Sequence, residues 1–280
     1  MQINWYPGHM TAARRMMQES LKAIDIVLEL RDARLPYSSA NPDIDALTKG
    51  KERLILLNKV DMADPHRTKL WLEYFAKKNQ PAMTVSAVKS QSLAVNQKIQ
   101  SIMQPKLQRY AERGMNKTVR ALVAGIPNAG KSTLINMLCG SARTKTGDRP
   151  GVTKGKQWVK AGEYLELMDT PGLLWPRLDN QLSARYLAFT GAINDETMDI
   201  EALALLLIET LQKQYPAALS NRYNIETEGT SLELYECICI KRGFLLKGGN
   251  ADFLRGAKVL IDEFRGGKLG QITLEVPETV

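Results

Sequence analysis

A chain of 280 residues with 44% hydrophobic and 24% charged side chains has the composition of an ordinary globular protein, long enough for one large core or two smaller ones. Its +8 net charge comes entirely from residues 1–199, with 29 Lys/Arg against 19 Asp/Glu, while residues 200–280 hold 9 against 11. That surplus points either to a polyanionic partner, nucleic acid above all, or to a solvated basic surface.

Several classes are disfavoured at once. The longest apolar run, ALALLLI at 202–208, is far short of the roughly 20 residues of a membrane span. MQINWYPGHM lacks the apolar stretch of a secretory signal. Cys139, Cys237 and Cys239 make no disulfide framework, and a lone Cys-x-Cys leaves zinc short of ligands. Inert thiols in a reducing, cytoplasmic setting are expected.

In chain order, TAARRMMQESLKAI places Ala13, Met16, Met17, Leu21 and Ile24 at helical spacing, predicting an amphipathic helix. DIVLELRDAR, RLILLNKVD and PAMTVSA read as short buried strands, with helices predicted near 42–50 and 65–78. Such alternation predicts a mostly parallel sheet covered by helices on both faces. Residues 91–113 predict a long helix, broken near Pro105 and stopped by Gly114. TVRALVAG is a strand entering a glycine-rich loop, and KSTLINMLCG is the helix after it. KQWVKAGEYLELMDTPG reads as a hairpin turning at Ala161-Gly162, its second strand ending at Asp169. From about residue 176 the pattern turns helical. DIEALALLLIETLQKQYP sets Ile200, Leu203, Leu207 and Leu211 on one face before Pro216. NADFLRGAKVLIDEFRGG turns Phe253, Ala257, Leu260, Ile261 and Phe264 inward and leaves Arg255, Lys258, Asp262 and Arg265 outside. The expected organisation is an α/β domain over 1–175 and a smaller, mainly helical domain over 176–280.

The chemistry lies in the loops. GIPNAGKS, residues 125–132, fits G-x-x-x-x-G-K-[ST] between a strand and a helix, the setting of a phosphate-binding loop. Gly125 and Gly130 allow backbone N–H groups of Asn128, Ala129, Gly130, Lys131, Ser132 and Thr133 to approach phosphate oxygens, aided by the helix N-terminus. Lys131 is expected across the β- and γ-phosphates, and Ser132 on Mg²⁺. In LELMDTPG, Asp169 would hold Mg²⁺ through water and the Gly172 N–H would sense the γ-phosphate. Between them, RTKTGDRPGVTKGK offers Thr153 as the switch threonine on Mg²⁺, with Thr144 and Thr146 as competitors. The tetrapeptide Asn58-Lys59-Val60-Asp61 suits a guanine base. The Asp61 carboxylate can accept from N1–H and N2–H₂, and beside adenine it would be left unpaired. Asn58 can either bond the base edge or brace the phosphate loop, and the Lys59 stem can lie along the ring. SAVK at 86–89 supplies Ser86 and the Ala87 N–H, the latter toward guanine O6.

Three further positions carry open readings. Leu173 stands where many GTPases place a water-orienting glutamine, so slow intrinsic turnover is expected. His9 could orient the water instead, or simply pack against the first helix. Asn128 either coordinates K⁺ or braces its own loop. The basic residues between 143 and 160, and the face of Arg255, Lys258 and Arg265, are candidates for RNA or for solvent.

These parts run base, base, phosphate loop, first switch, second switch (G4-G5-G1-G2-G3), out of the usual order. A site built on strand ends depends on where the strands lie in space, so joining the old termini and cutting elsewhere preserves it. The order implies a circularly permuted P-loop GTPase domain with residues 91–118 as the joint. WYPGHM, DARLP, LNKVD, GIPNAGKSTLIN and DTPGLLWP together resemble the ribosome biogenesis GTPase A branch of the circularly permuted GTPases. The resemblance implies a GTPase assembly factor on the large (50S) ribosomal subunit, acting late in its maturation. It also implies a helical domain on ribosomal RNA and a part for His9 in hydrolysis. Partners would be rRNA and ribosomal proteins, with no membrane, and a monomer is expected. The competing readings are a GTP-dependent enzyme acting on a tRNA or small molecule, and a binding protein that holds GTP for structure. Against the former, residues 176–280 contain no histidine.

Overall fold

The computed structural model describes residues 21–42, 44, 48–89, 91–140, 157–169 and 180–279. A six-stranded sheet has the spatial order β3-β2-β1-β4-β6-β5. Its strands are β1 Ile26–Asp32, β2 Glu52–Asn58, β3 Ala82–Thr84, β4 Val119–Gly125, β5 Gln157–Lys160 and β6 Leu165–Asp169. All run parallel except β5, which pairs antiparallel with β6 at one edge.

Alternation along the strands supplies both faces. Ile26, Leu28 and Leu30 share one apolar cluster with Leu54, Leu56, Ala121 and Val123. Over that face packs α2 Ser92–Ala111, through Val95, Ile99 and Met103. On the other face, Ile55 and Leu57 meet Trp71 and Phe75 of α1 Pro65–Lys77. β1 is buried along its whole length, including Glu29 and Arg31. Those charges are tolerated because they pair: Arg31 Nε lies 2.9 Å from Glu29 Oε1, and Arg53 reaches the other oxygen.

The joint differs from expectation in one respect. α2 is continuous through Pro105 rather than broken there. A proline removes the hydrogen bond to the carbonyl four residues back and crowds that carbonyl with its ring, but Ser101 is exposed, so the carbonyl can tilt outward and bond water. Because β3 lies at the sheet edge and β4 inside it, α2 carries the chain back across β2 and β1. Asp25 anchors the far end of this crossover, 2.5 Å from Lys106 Nζ and 3.0 Å from Lys117 Nζ.

α3 Lys131–Cys139 follows β4. The helical part holds α4 Gln181–Phe189, α5 Ile200–Gln214, α6 Pro216–Tyr223, α7 Ser231–Lys241 and α8 Phe253–Arg265. Pro216 ends α5 as expected but also starts α6, where a missing N–H costs nothing. After α8 the chain returns to the sheet: Ile272, Thr273, Leu274 and Glu275 are all buried.

Candidate functional site

Parallel strands put their C-terminal ends on one edge of the sheet, so Asp32, Asn58, Thr84, Gly125 and Asp169 finish side by side. The loops that follow those ends carry the motifs read from the sequence.

Asn58 is the hub. Its Nδ2 donates to Ala129 O at 2.7 Å, and its Oδ1 accepts from Ala87 N at 3.0 Å. The first bond is the brace to the phosphate loop, one of the two readings of Asn58, and the second ties the SAVK loop to it through the Ala87 N–H, the group expected toward guanine O6. Gly130 fits this arrangement, with φ +95° and a position where a Cβ would lie 2.4 Å from Asn58 Nδ2. Any side chain there would push the brace apart.

Asp61 lies in a single 3₁₀ turn, Val60–Met62, and Ser86 begins the neighbouring loop. Val60 N donates to Val85 O at 3.4 Å, linking the two loops. Two buried side-chain oxygens at this point, Asp61 Oδ1 and Ser86 Oγ, have no hydrogen-bond partner among the described residues. Buried polar atoms are nearly always paired, so two such atoms on loops joined by that bond suit a ligand with matching polar groups. Lys59 adopts a left-handed backbone, φ 61°, and its Nζ lies 3.1 Å from Asp32 Oδ2. Burial alone would raise the Asp32 carboxyl. The Arg34 and Lys59 charges win, holding it far below the usual carboxylate range. Asp32 and Arg34 belong to DARLP, yet sequence reasoning gave them no role; an Asp-x-Arg at a strand end was the available signal.

At the phosphate loop, Lys131 Nζ donates to Ile126 O at 2.8 Å, and Ser132 and Thr133 sit in the first turn of α3, whose N–H groups have no partner within the helix. Gly125 closes β4 so tightly against β1 that a Cβ would lie 2.5 Å from Leu30 O. Asn128 has φ 58°, and its Nδ2 donates to Gly191 O at 2.6 Å, in the turn after α4. This contact reaches the helical part. Asp169 ends β6 in register with Val123, beside the phosphate loop. His9, Thr144, Thr146, Thr153, Gly172 and Leu173 lie outside the described residues.

Of the basic residues assigned to RNA, Arg255 and Lys258 are exposed, and the Arg255 guanidinium stacks 4.9 Å from the Phe244 ring centroid. Arg265 does not join them. It binds Asp195 Oδ2 at 2.6 Å, Ala188 O at 2.9 Å and Phe189 O at 3.1 Å. At the last position of α8 its side chain reaches carbonyls at the end of α4, an internal role.

Comparison with known proteins adds the family. Residues 120–231 match the family described as 50S ribosome-binding GTPase. A ribosome biogenesis GTPase A from Bacillus cereus is 44% identical, over 99% of this chain and 95% of that protein. The GDP-bound structure of TM YlqF superposes with a TM-score of 0.70 at 28% identity, covering 94% of this chain and 99% of that one. The GNP-bound YlqF from T. maritima gives 0.68 at 28% identity, over 95% and 99%. With its strand order, its braced loops and near end-to-end similarity to such relatives, the chain belongs to the ribosome biogenesis GTPase A family and is a GTPase.

Proposed function

We propose that this protein is a GTP-hydrolysing assembly factor for the large ribosomal subunit, a nucleotide-dependent switch acting on rRNA late in maturation in the cytoplasm. Residues 1–175 form the permuted GTPase domain and 176–280 the RNA-contacting domain, and the protein acts as a monomer. The observation that carries the nucleotide half is that Asp61 Oδ1 and Ser86 Oγ are buried without a hydrogen-bond partner among the described residues, on loops that Asn58 ties to the phosphate loop. Asp61 accepts from guanine N1–H and N2–H₂, Lys59 lies along the ring, and Asn58 and Ala87 hold the base loop against the phosphate loop. Backbone N–H groups from Asn128 to Thr133, with Gly172, receive the phosphates, and Lys131 neutralises them.

Ser132 in the first turn of α3 and Asp169 at the end of the adjacent strand offer the oxygen donors that suit Mg²⁺. Thr153 completes that set, and the ion offsets charge on the β- and γ-phosphates. Asn128 is the residue for K⁺, through its amide oxygen. With Leu173 in place of glutamine, His9 orients the attacking water, so turnover is slow until the target brings it into position. Arg255 and Lys258 supply the RNA-facing charge.

The ribosomal half is supported by the name carried by the similar relatives, and one experiment tests both halves. Steady-state GTP turnover is measured with and without purified large subunits, and subunit binding by sedimentation with a GTP analogue and with GDP. Strong stimulation and tighter binding with the analogue are expected. Equal binding in both nucleotide states would overturn the switch.

A further inference from the structure

The loop bearing Asp61 is held from behind by the segment that follows α8. Ile272 N donates to Met62 O at 2.9 Å, and Gln271 Nε2 to Asp61 O at 3.4 Å. Thr273 Oγ1 accepts from Asp64 N at 3.1 Å and donates to Ala33 O at 3.1 Å. Tyr215 OH lies 2.9 Å from both Asp64 Oδ2 and Thr273 O. Gly267, φ +72°, sits so close that a Cβ would be 2.9 Å from Met62 Cγ.

A second connection reaches Lys59. Arg34 grips both Asp32 oxygens, Nε at 3.0 Å and Nη2 at 2.8 Å, and its Nη1 donates to Phe264 O at 3.1 Å. Asp32 in turn faces Lys59. Leu274 N donates to Arg34 O at 2.9 Å, so the same returning segment fixes this strut as well. The Asp61 and Met62 carbonyls, the Asp64 N–H and, through Asp32 and Arg34, the amine of Lys59 are thereby referred to residues 264–275.

We infer that the C-terminal segment 271–275 positions the base-recognition loop, and that discrimination for guanine depends on it. The inference rests on the guanine reading of Asp61. Two parallel hydrogen bonds to one carboxylate demand close alignment, and a loop pinned by a distant segment keeps that alignment only while the segment is docked. Thr273 and Tyr215 are positioning residues, since neither touches the base.

The test uses the full chain with Thr273→Val, which keeps shape but removes the hydroxyl, and with Tyr215→Phe. Affinities for GDP, IDP (which lacks the 2-amino group) and ADP are measured by competition against a fluorescent nucleotide. A loss of roughly tenfold for GDP is expected, with IDP and ADP changing less, so that the GDP/IDP ratio narrows. Thr273→Ser should restore the ratio. A general loosening of the fold would weaken all three nucleotides together. A folded Thr273→Val or Tyr215→Phe protein with the wild-type GDP/IDP ratio would overturn the inference. Wild-type protein that holds ADP as tightly as GDP would instead remove the guanine reading, and the inference with it.

Discussion

Both halves of the Asn58 amide are committed, one to each neighbouring loop, so its contribution is measured by what separates when it goes. Asn58→Ala leaves the Ala129 carbonyl and the Ala87 N–H without their partner in a buried place, a cost of about 1–3 kcal/mol for each group left unsatisfied. Guanine nucleotide affinity should fall at least tenfold, as read by displacement of a fluorescent GDP, because phosphate and base loops lose their common brace. Asn58→Ala binding GDP as wild type would show that the two loops keep their spacing by other means. Asn58 and Asp61 were legible in the sequence because N-K-x-D closes a strand. Which way Asn58 points was not, since its partner lies 71 residues on. Arg265 shows the converse. Its place on the outer face of a helix suggested a ligand, but the carbonyls it caps belong to a helix that no local pattern tied to it.

Among the elements, strands and their ends were read well because buried parallel strands leave apolar runs bounded by glycine and polar residues. β1, β2, β4 and the β5–β6 hairpin fall where the runs predicted them. The Pro105 break failed, as a proline in a helix can be accommodated where the orphaned carbonyl meets water. The returning segment after α8 has no periodicity at all, and its burial depends wholly on tertiary partners. Its Glu275 gives the element a pH signature. Burial pushes this carboxyl up to about 7, despite the N–H groups of Tyr37 and Ser38 and the Ser38 hydroxyl donating to it. A folded pKa above the ordinary value of 4.5 means that the native state binds the proton more tightly than the unfolded chain. Stability from this group is therefore full below pH 4.5, declines as pH rises toward 7 and is lost above it, on the order of 3 kcal/mol at most. Glu275→Gln should remove that slope. Comparing melting temperatures at pH 5 and pH 8, wild type should lose more than the variant; parallel curves would contradict it.

Across the whole molecule, one apolar cluster runs from Ile26 and Leu54 of the sheet to Leu207 of α5 and Phe264 of α8. Polar links cross the same boundary, Asn128 to Gly191 on the phosphate side and Arg34 to Phe264 on the base side. With core and links shared, the sheet and the helical part should melt as one unit. Calorimetry should show a single transition with matching calorimetric and van't Hoff enthalpies, and two resolved transitions would mean that the shared core contributes little. The change of pattern from strands to helices was visible in the sequence, whereas the extent of contact between the sheet and the helices was not, because periodicity reports which face is buried and not against what.

The contact of Thr273 with Ala33 spans 240 residues. A chain built from its N-terminus thus exposes its first strand long before the residues that secure the following loop have been made. Polypeptides cut short near residue 270 would carry every nucleotide motif and still lack the clasp on the base loop. A truncated product of that kind should accumulate as a poor GTP binder, so that in the cell competence arrives only once residues 271–275 have been added.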